Sequence, residues 1–286
     1  MPIDYPAVLD LKTEAAPYSW NDREVMLYAL GIGMGSDPMD ERELQFVNEA
    51  FATPKPLKVV PTFASVCVWG ARPVPIDLNR VMVVDGERDI TFHKSIPVAA
   101  KVTADARVRG VYDKGKEKGA VIQNEVVVRD GDGSKIITIV SSSFARGDGG
   151  FGGPSDGMPE PHQVPRRLPD RSVDIAIRPD QALIYRLSGD RNPLHSDPEF
   201  ARRAGFPKPI LHGMCTYGLT CRAVLQTYAD YDPSAFRRHR ARFSAPVFPG
   251  ETISVDLWKD GNSISFEAHV RERNVTVVKN GQSLLG

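Results

Sequence analysis

Cysteine is scarce. The chain has three in 286 residues (Cys67, Cys215 and Cys221), an odd number with no CxxC pair. That excludes a disulfide framework and zinc-finger spacing. Net charge is also absent: 36 Lys plus Arg are matched by 36 Asp plus Glu. A neutral chain has no global electrostatic footprint for nucleic acid or an anionic membrane, and neither partner is expected. No apolar run approaches the ~18 residues of a membrane span. The opening MPIDYPAVLD lacks the basic region and apolar core of a signal peptide. The closing SLLG is not a peroxisomal SKL-type address. The expectation is a reduced, soluble, cytoplasmic protein.

What is present is ordinary globular material, 41% hydrophobic and 25% charged, enough to bury a large core. At about 150 residues per domain, the length fits two domains or one large one. Composition breaks at Phe144–Asp170, a Gly/Pro-rich stretch that supports neither helix nor strand. It falls near the middle, and the flanking halves read alike. Asn21 or Asp22 begins a helix through EVMLYALG, and Asp180 one through ALIYRLSG. Both carry Tyr-x-Leu at one helical level, Tyr28/Leu30 and Tyr185/Leu187. Each half continues with a small-residue apolar stretch, PTFASVCVWG or HGMCTYGLTCRAVLQTYA, and then with alternating Val/Ile/Thr-rich segments. Asp-Gly pairs within 130–133 and at 260–261 predict hairpin turns. A short helix, a buried helix and a run of antiparallel strands, occurring twice, predict a duplicated α+β unit. Pairing the two sheets into one removes two exposed edges.

Chemistry concentrates in YRLSGDRNPLH, residues 185–195, followed by ILHGM, residues 210–214. Ser-Gly ends the helix, and Pro193 stiffens the turn after it. A compact loop then brings Asp190 and His195 to one cleft, where together they can position and activate water. Gly213 opens the second buried helix. Its N–H has no partner within the helix and points along the positive end of the dipole, so it can stabilise a developing oxyanion. This set suits addition of water to an activated double bond.

The segment YRLSGDRNPLHSDPEFARRAGFPKPILHGMCTYG resembles the hydratase 2 signature of the MaoC-like (R)-specific enoyl-CoA hydratases. The resemblance extends over nearly the whole chain. VVPTFA, Asp113-Lys114-Gly115, FARGDGGFGG and ARFSAPVFPGETI are similar to landmarks of the two-repeat type found in peroxisomal multifunctional enzyme type 2. It implies an α+β double hot-dog fold, usually dimeric, hydrating trans-2-enoyl-CoA to (3R)-3-hydroxyacyl-CoA. The CoA thioester would be the substrate, with no cofactor and no metal. An N-terminal repeat over 1–150 would accommodate the acyl chain. A linker would cover 151–170, and a C-terminal repeat over 171–286 would carry the motif.

By that resemblance Asp190 and His195 form the catalytic dyad, Gly213 donates to the thioester carbonyl and Asn192 shapes the site. Asp85, Gly86, Lys114 and Phe243 would contact the CoA ester. Glu49 matches a glutamate that supports activity, and His212 would orient the loop before the helix. Relatives carry His-Gly-Glu-Gln where this chain has Asp85-Gly86-Glu87-Arg88, so contacts there should differ. The first half reads GIGMGSDPMD in place of the motif, which predicts one active site per chain.

Competing readings attach to several of these residues. Asp190, His195 and His212 have the types, though not an HExxH spacing, for zinc or iron. Arg237, Arg238, Arg240 and Arg242 form the densest basic run, readable as a solvated strand face or as a lure for CoA phosphates. Cys215 and Cys221 fit core positions better than nucleophiles. A hot-dog thioesterase and a non-catalytic acyl-CoA-binding subunit share the expected fold. Retention of both Asp190 and His195 argues against the second.

Overall fold

Strands form where the alternating patterns lie, and two more form at the edges of the sheet. They are β1 (Lys12–Trp20), β2 (Val83–Phe92), β3 (Ala100–Asp113), β4 (Ala120–Arg129), β5 (Lys135–Ala145), β6 (Arg171–Ala176), β7 (Phe236–Phe243), β8 (Thr252–Asp260), β9 (Ser263–Val270) and β10 (Val275–Leu285). The helices are α1 (Asp22–Gly31), α2 (Glu41–Leu44), α3 (Gln181–Tyr185), α4 (Pro198–Arg203) and α5 (Gly213–Tyr228). This computed structural model describes residues 3–51, 56–73, 76–78 and 82–286. The described strands make one antiparallel sheet in the order β1-β3-β4-β5-β2-β7-β10-β9-β8-β6. Strands β2 and β7 are the seam between the halves, with Ile90 opposite His239. The result is the expected α+β double hot-dog, a continuous sheet wrapped around a central helix.

Local chemistry accounts for the helix starts. Asn21 accepts from the Arg23 N–H while Glu24 accepts from the Asn21 N–H, a reciprocal cap for α1. Helix α5 buries eleven of its residues, from Met214 to Leu225. Gly218 permits its close approach to α1, because a Cβ there would stand 2.5 Å from Ile32 Cγ2. Tyr28 and Tyr185, at equivalent levels of the two halves, meet at 5.9 Å between ring centroids. Glu43 of α2 and Arg222 of α5 form a buried ion pair at 2.6 Å across the halves.

Three expectations need correction. Among the described residues, the first half has no long buried helix. PTFASVCVWG forms a 3-10 turn, Pro61–Ser65, followed by further turns. Its β-branched Thr62, Val66 and Val68, with Gly70 close behind, propagate a helix poorly. Strands β1 and β6 were not anticipated, because as edge strands they bury few residues and lack clean alternation. Asp180 precedes α3 but makes no side-chain cap; Arg178 holds its carboxylate at 2.9 Å.

The segment between β5 and β6 carries no helix or strand, yet it is tied down. Asn280 donates to the His162 carbonyl at 2.8 Å and Trp258 to that of Arg167 at 2.8 Å. The arginine run on β7 has a role that neither sequence reading contained. Arg238 forms a two-bond pair with Asp89, and Arg242 lies 3.5 Å from Glu87, so both stitch β7 to β2. Among the described residues, no helix is long and apolar enough to cross a membrane.

Candidate active site

The loop after α3 is shaped by Gly189. Its φ of +133° is strained for other residues, and a Cβ there would lie 2.6 Å from the Trp69 ring. The turn beyond it is pinned from within. Asp190 Oδ1 accepts from the Asn192 N–H at 3.0 Å, and Asn192 Oδ1 accepts from that of Leu194 at 3.0 Å. Asn192 is exposed and caps the turn Pro193–His195. Its contribution to shape is therefore local.

His195 is 8% exposed. Its Nδ1 lies 2.9 Å from the Ile210 carbonyl. A carbonyl only accepts, so Nδ1 carries the proton, and in the neutral ring Nε2 presents a lone pair. That nitrogen is 3.9 Å from Asp190 Oδ2. Burial lowers the His195 pKa from its ordinary value, opposed by the Ile210 hydrogen bond and by the charges of Asp190 and Asp85. The resting imidazole is neutral near pH 7.

His212 orients the loop by donating from Nε2 to the Asp190 backbone carbonyl at 3.1 Å. Its ring stacks on that of His195 at 3.7 Å, and burial holds it neutral, with a pKa of about 3. It is also the N-cap of α5, and its own side chain does not cap that helix. Gly213, the first helical residue, has an N–H with no partner within the helix at its positive end, and follows in the chain the His212 ring that stacks on His195.

Asp85, Gly86, Lys114 and Phe243 come together as walls of one cavity of about 520 Å³. The Phe243 ring reaches to 3.8 Å from where a Gly213 Cβ would stand, which places this cavity against the helix end. Asp113 fixes the Lys114 loop by accepting from the Gly150, Gly115 and Gly152 N–H groups at 2.8 Å, which hold its carboxyl below the usual range. Lys114 Nζ donates to the Ser155 carbonyl. The stretch Met158–Pro161 completes the cavity wall, a role its composition did not announce.

Glu49 stands apart from the walls of the Lys114 cavity. It is exposed and lines a separate surface cavity with Leu187 and Arg191. Asp190, His195 and His212 offer metal-ligand atoms within 4.8 Å of one another. The two imidazoles are stacked with 26° between their planes, however. Their in-plane lone pairs therefore run side by side and do not converge on one point, a poor fit to a tetrahedral or octahedral ion. Sequence reasoning missed the Ile210 carbonyl, which sets the His195 tautomer, and Trp69, which packs on Gly189. Backbone acceptors have no sequence signature.

The continuous ten-stranded sheet around a central helix defines a double hot-dog protein. Comparison with known proteins agrees with that fold. Residues 18–147 match the MFE-2 hydratase 2 N-terminal domain and residues 161–280 the MaoC like domain. The chain is 41% identical to the enoyl-CoA hydratase ChsH3 of Mycobacterium tuberculosis, covering 100% of this chain and 99% of that one. It is 36% identical to the peroxisomal enoyl-CoA hydratase 2 of Arabidopsis thaliana, covering 91% and 89%. A crystal structure of a MaoC-like dehydratase from Phytophthora capsici superposes with a TM-score of 0.88 at 32% identity, over 99% of both chains. The chain belongs to the MaoC-like, two-repeat enoyl-CoA hydratase 2 family.

Proposed function

We propose that the protein adds water across the double bond of a trans-2-enoyl-CoA to give the (3R)-3-hydroxyacyl-CoA. The observation that carries this reading is the neutral His195 Nε2 at 3.9 Å from Asp190 Oδ2, with His212, which stacks on His195, leading directly into the first N–H of α5 at Gly213. A water donating one hydrogen to each acceptor fits that gap. With the thioester carbonyl on the Gly213 N–H, electron density is drawn from C3. The water oxygen bonds to C3, its proton passes to the dyad, and the dyad delivers a proton to C2. Hydroxyl and hydrogen enter from the same face, a syn addition. Asp190 and His195 together act as one proton store in this scheme.

In this reading Asp85, Gly86, Lys114 and Phe243 hold the CoA ester in the 520 Å³ cavity. Residues 1–150 accommodate the acyl group, which the missing first-half helix favours, and residues 151–170 link the repeats. The thioester is substrate, and the scheme requires no cofactor. The protein works as a homodimer in the cytoplasm, a setting compatible with three free cysteines. Light scattering behind size exclusion checks the dimer.

The direct test follows loss of enoyl-thioester absorbance with trans-2-decenoyl-CoA and resolves the product with (3R)- and (3S)-specific dehydrogenases. The (3R) alcohol is expected. Asp190→Asn and His195→Gln should each lower kcat by about 10²–10⁴-fold with the fold retained. Release of free CoA thiol without hydration would indicate a thioesterase and overturn the assignment.

A further inference from the structure

The inner face of the first-half sheet carries a polar row. Across the strands, Ala241 of β7 stands opposite Arg88 of β2, Arg88 opposite Ser141 of β5, and Ser141 opposite Asn124 of β4. Arg88 shares its face with Ile90, two residues on, which is fully buried. The next row, Ile90, Ile139 and Val126, belongs to the main core, whereas Ile122 on the other side belongs to a separate apolar cluster. The polar row is what divides them. It lies in the half where a 3-10 turn stands in place of a covering helix.

Two atoms of this row lack what buried polar groups require. Arg88 Nε and Asn124 Oδ1 are both buried without a hydrogen-bond partner. Among the described residues, no hydrogen bond or ion pair engages the Arg88 guanidinium. Arg88 is half-buried, and it is the enclosed Nε–H that is costly to leave unpaired unless something completes it. Its position indicates what that is. Along β7, Ala241 is two residues, about 7 Å, from Phe243, whose ring borders Gly213. A chain bound by its thioester at Gly213 and running into the first half therefore passes Arg88.

We infer that Arg88 selects the acyl group: the preferred enoyl thioesters carry a hydrogen-bond-accepting oxygen, carboxylate or carbonyl, beyond the reacting double bond. The guanidinium donates to that oxygen. Ser141 and Asn124 extend the polar strip beside it. This rests on the hydratase reading and names its substrate class.

The test compares kcat/KM for trans-2-enoyl-CoAs of matched length ending in a methyl, a methyl ketone or a carboxylate, over short, medium and long chains. The oxygenated member should be favoured at least tenfold at one or more lengths. Arg88→Gln should erase that ratio and leave the alkyl rates within about threefold, and Arg88→Lys should restore part of the preference for carboxylate alone. Equal rates for all three termini at every length in the unmodified protein would overturn the inference, with no dependence on how the variants fold. So would Arg88→Gln lowering all three alike. Failure to hydrate any of the series would instead sink the hydratase assignment.

Discussion

Gly213→Pro isolates a single backbone hydrogen. The first N–H of α5 has no partner within the helix, so a proline nitrogen there breaks no intrahelical bond. His212, the preceding residue, has φ −60° and ψ 136°, which suits a residue before proline. The nearest atoms to a new Cβ are those of the Phe243 ring at 3.8 and 3.9 Å, an ordinary contact. Stability should therefore change by less than about 1 kcal/mol. The thioester, in contrast, loses its only proposed backbone donor. Removal of one oxyanion donor costs about 10²–10³-fold, or about 3 kcal/mol of transition-state stabilisation. The assay is kcat/KM for enoyl-CoA hydration beside urea unfolding. Gly213→Ala is the control, since it adds the same Cβ but keeps the N–H, and it should stay within threefold of the parent. A folded Gly213→Pro variant with near-parental kcat/KM would refute the role of this N–H. Equal losses in Ala and Pro would assign the effect to bulk.

Two further outcomes concern stability. Burial holds His212 and His239 at about 3 in the native state, against an ordinary value near 6.5 when unfolded. Between these values unfolding takes up a proton at each, so this stability is complete above pH ~6.5 and falls as the pH drops. The slope near pH 5.5 should be at least about 2.5 kcal/mol per pH unit for the pair. Urea unfolding at about pH 7, 6 and 5 measures it; a slope below one proton contradicts the assignment, and His239→Gln should remove one proton from it. Glu43→Gln leaves Arg222 buried without its counter-charge, and should lower unfolding free energy by about 3 kcal/mol. A loss under about 1 kcal/mol would show the pair to be solvated.

The sequence made the hairpins legible because Val/Ile/Thr alternation and Asp-Gly turns are local signals, and those strands formed where expected. The start of α1 was legible to within one residue, Asn21 or Asp22, and the structure settles it on Asn21 with Glu24 closing the cap. The active loop could be read because its turn chemistry lies within Gly189–His195. The first-half turn was hidden because PTFASVCVWG is as apolar as a helix core, and that pattern outweighed the weaker signal of its β-branched residues. The edges β1 and β6 were hidden by weak alternation. The tautomer of His195 depends on a carbonyl fifteen residues away, and the unpaired Arg88 on register across three strands. Both are properties of the folded neighbourhood.

The fused halves also have a genetic consequence. Two separate copies of one repeat would present identical surfaces, and every substitution would strike both at once. In a single polypeptide each codon is expressed in one place only. The half without the motif has a 3-10 turn and a polar row on the inner face of its sheet, while the other has a sixteen-residue helix beside the Asp190–His195 loop. Substrate range and catalytic power can therefore drift independently under selection.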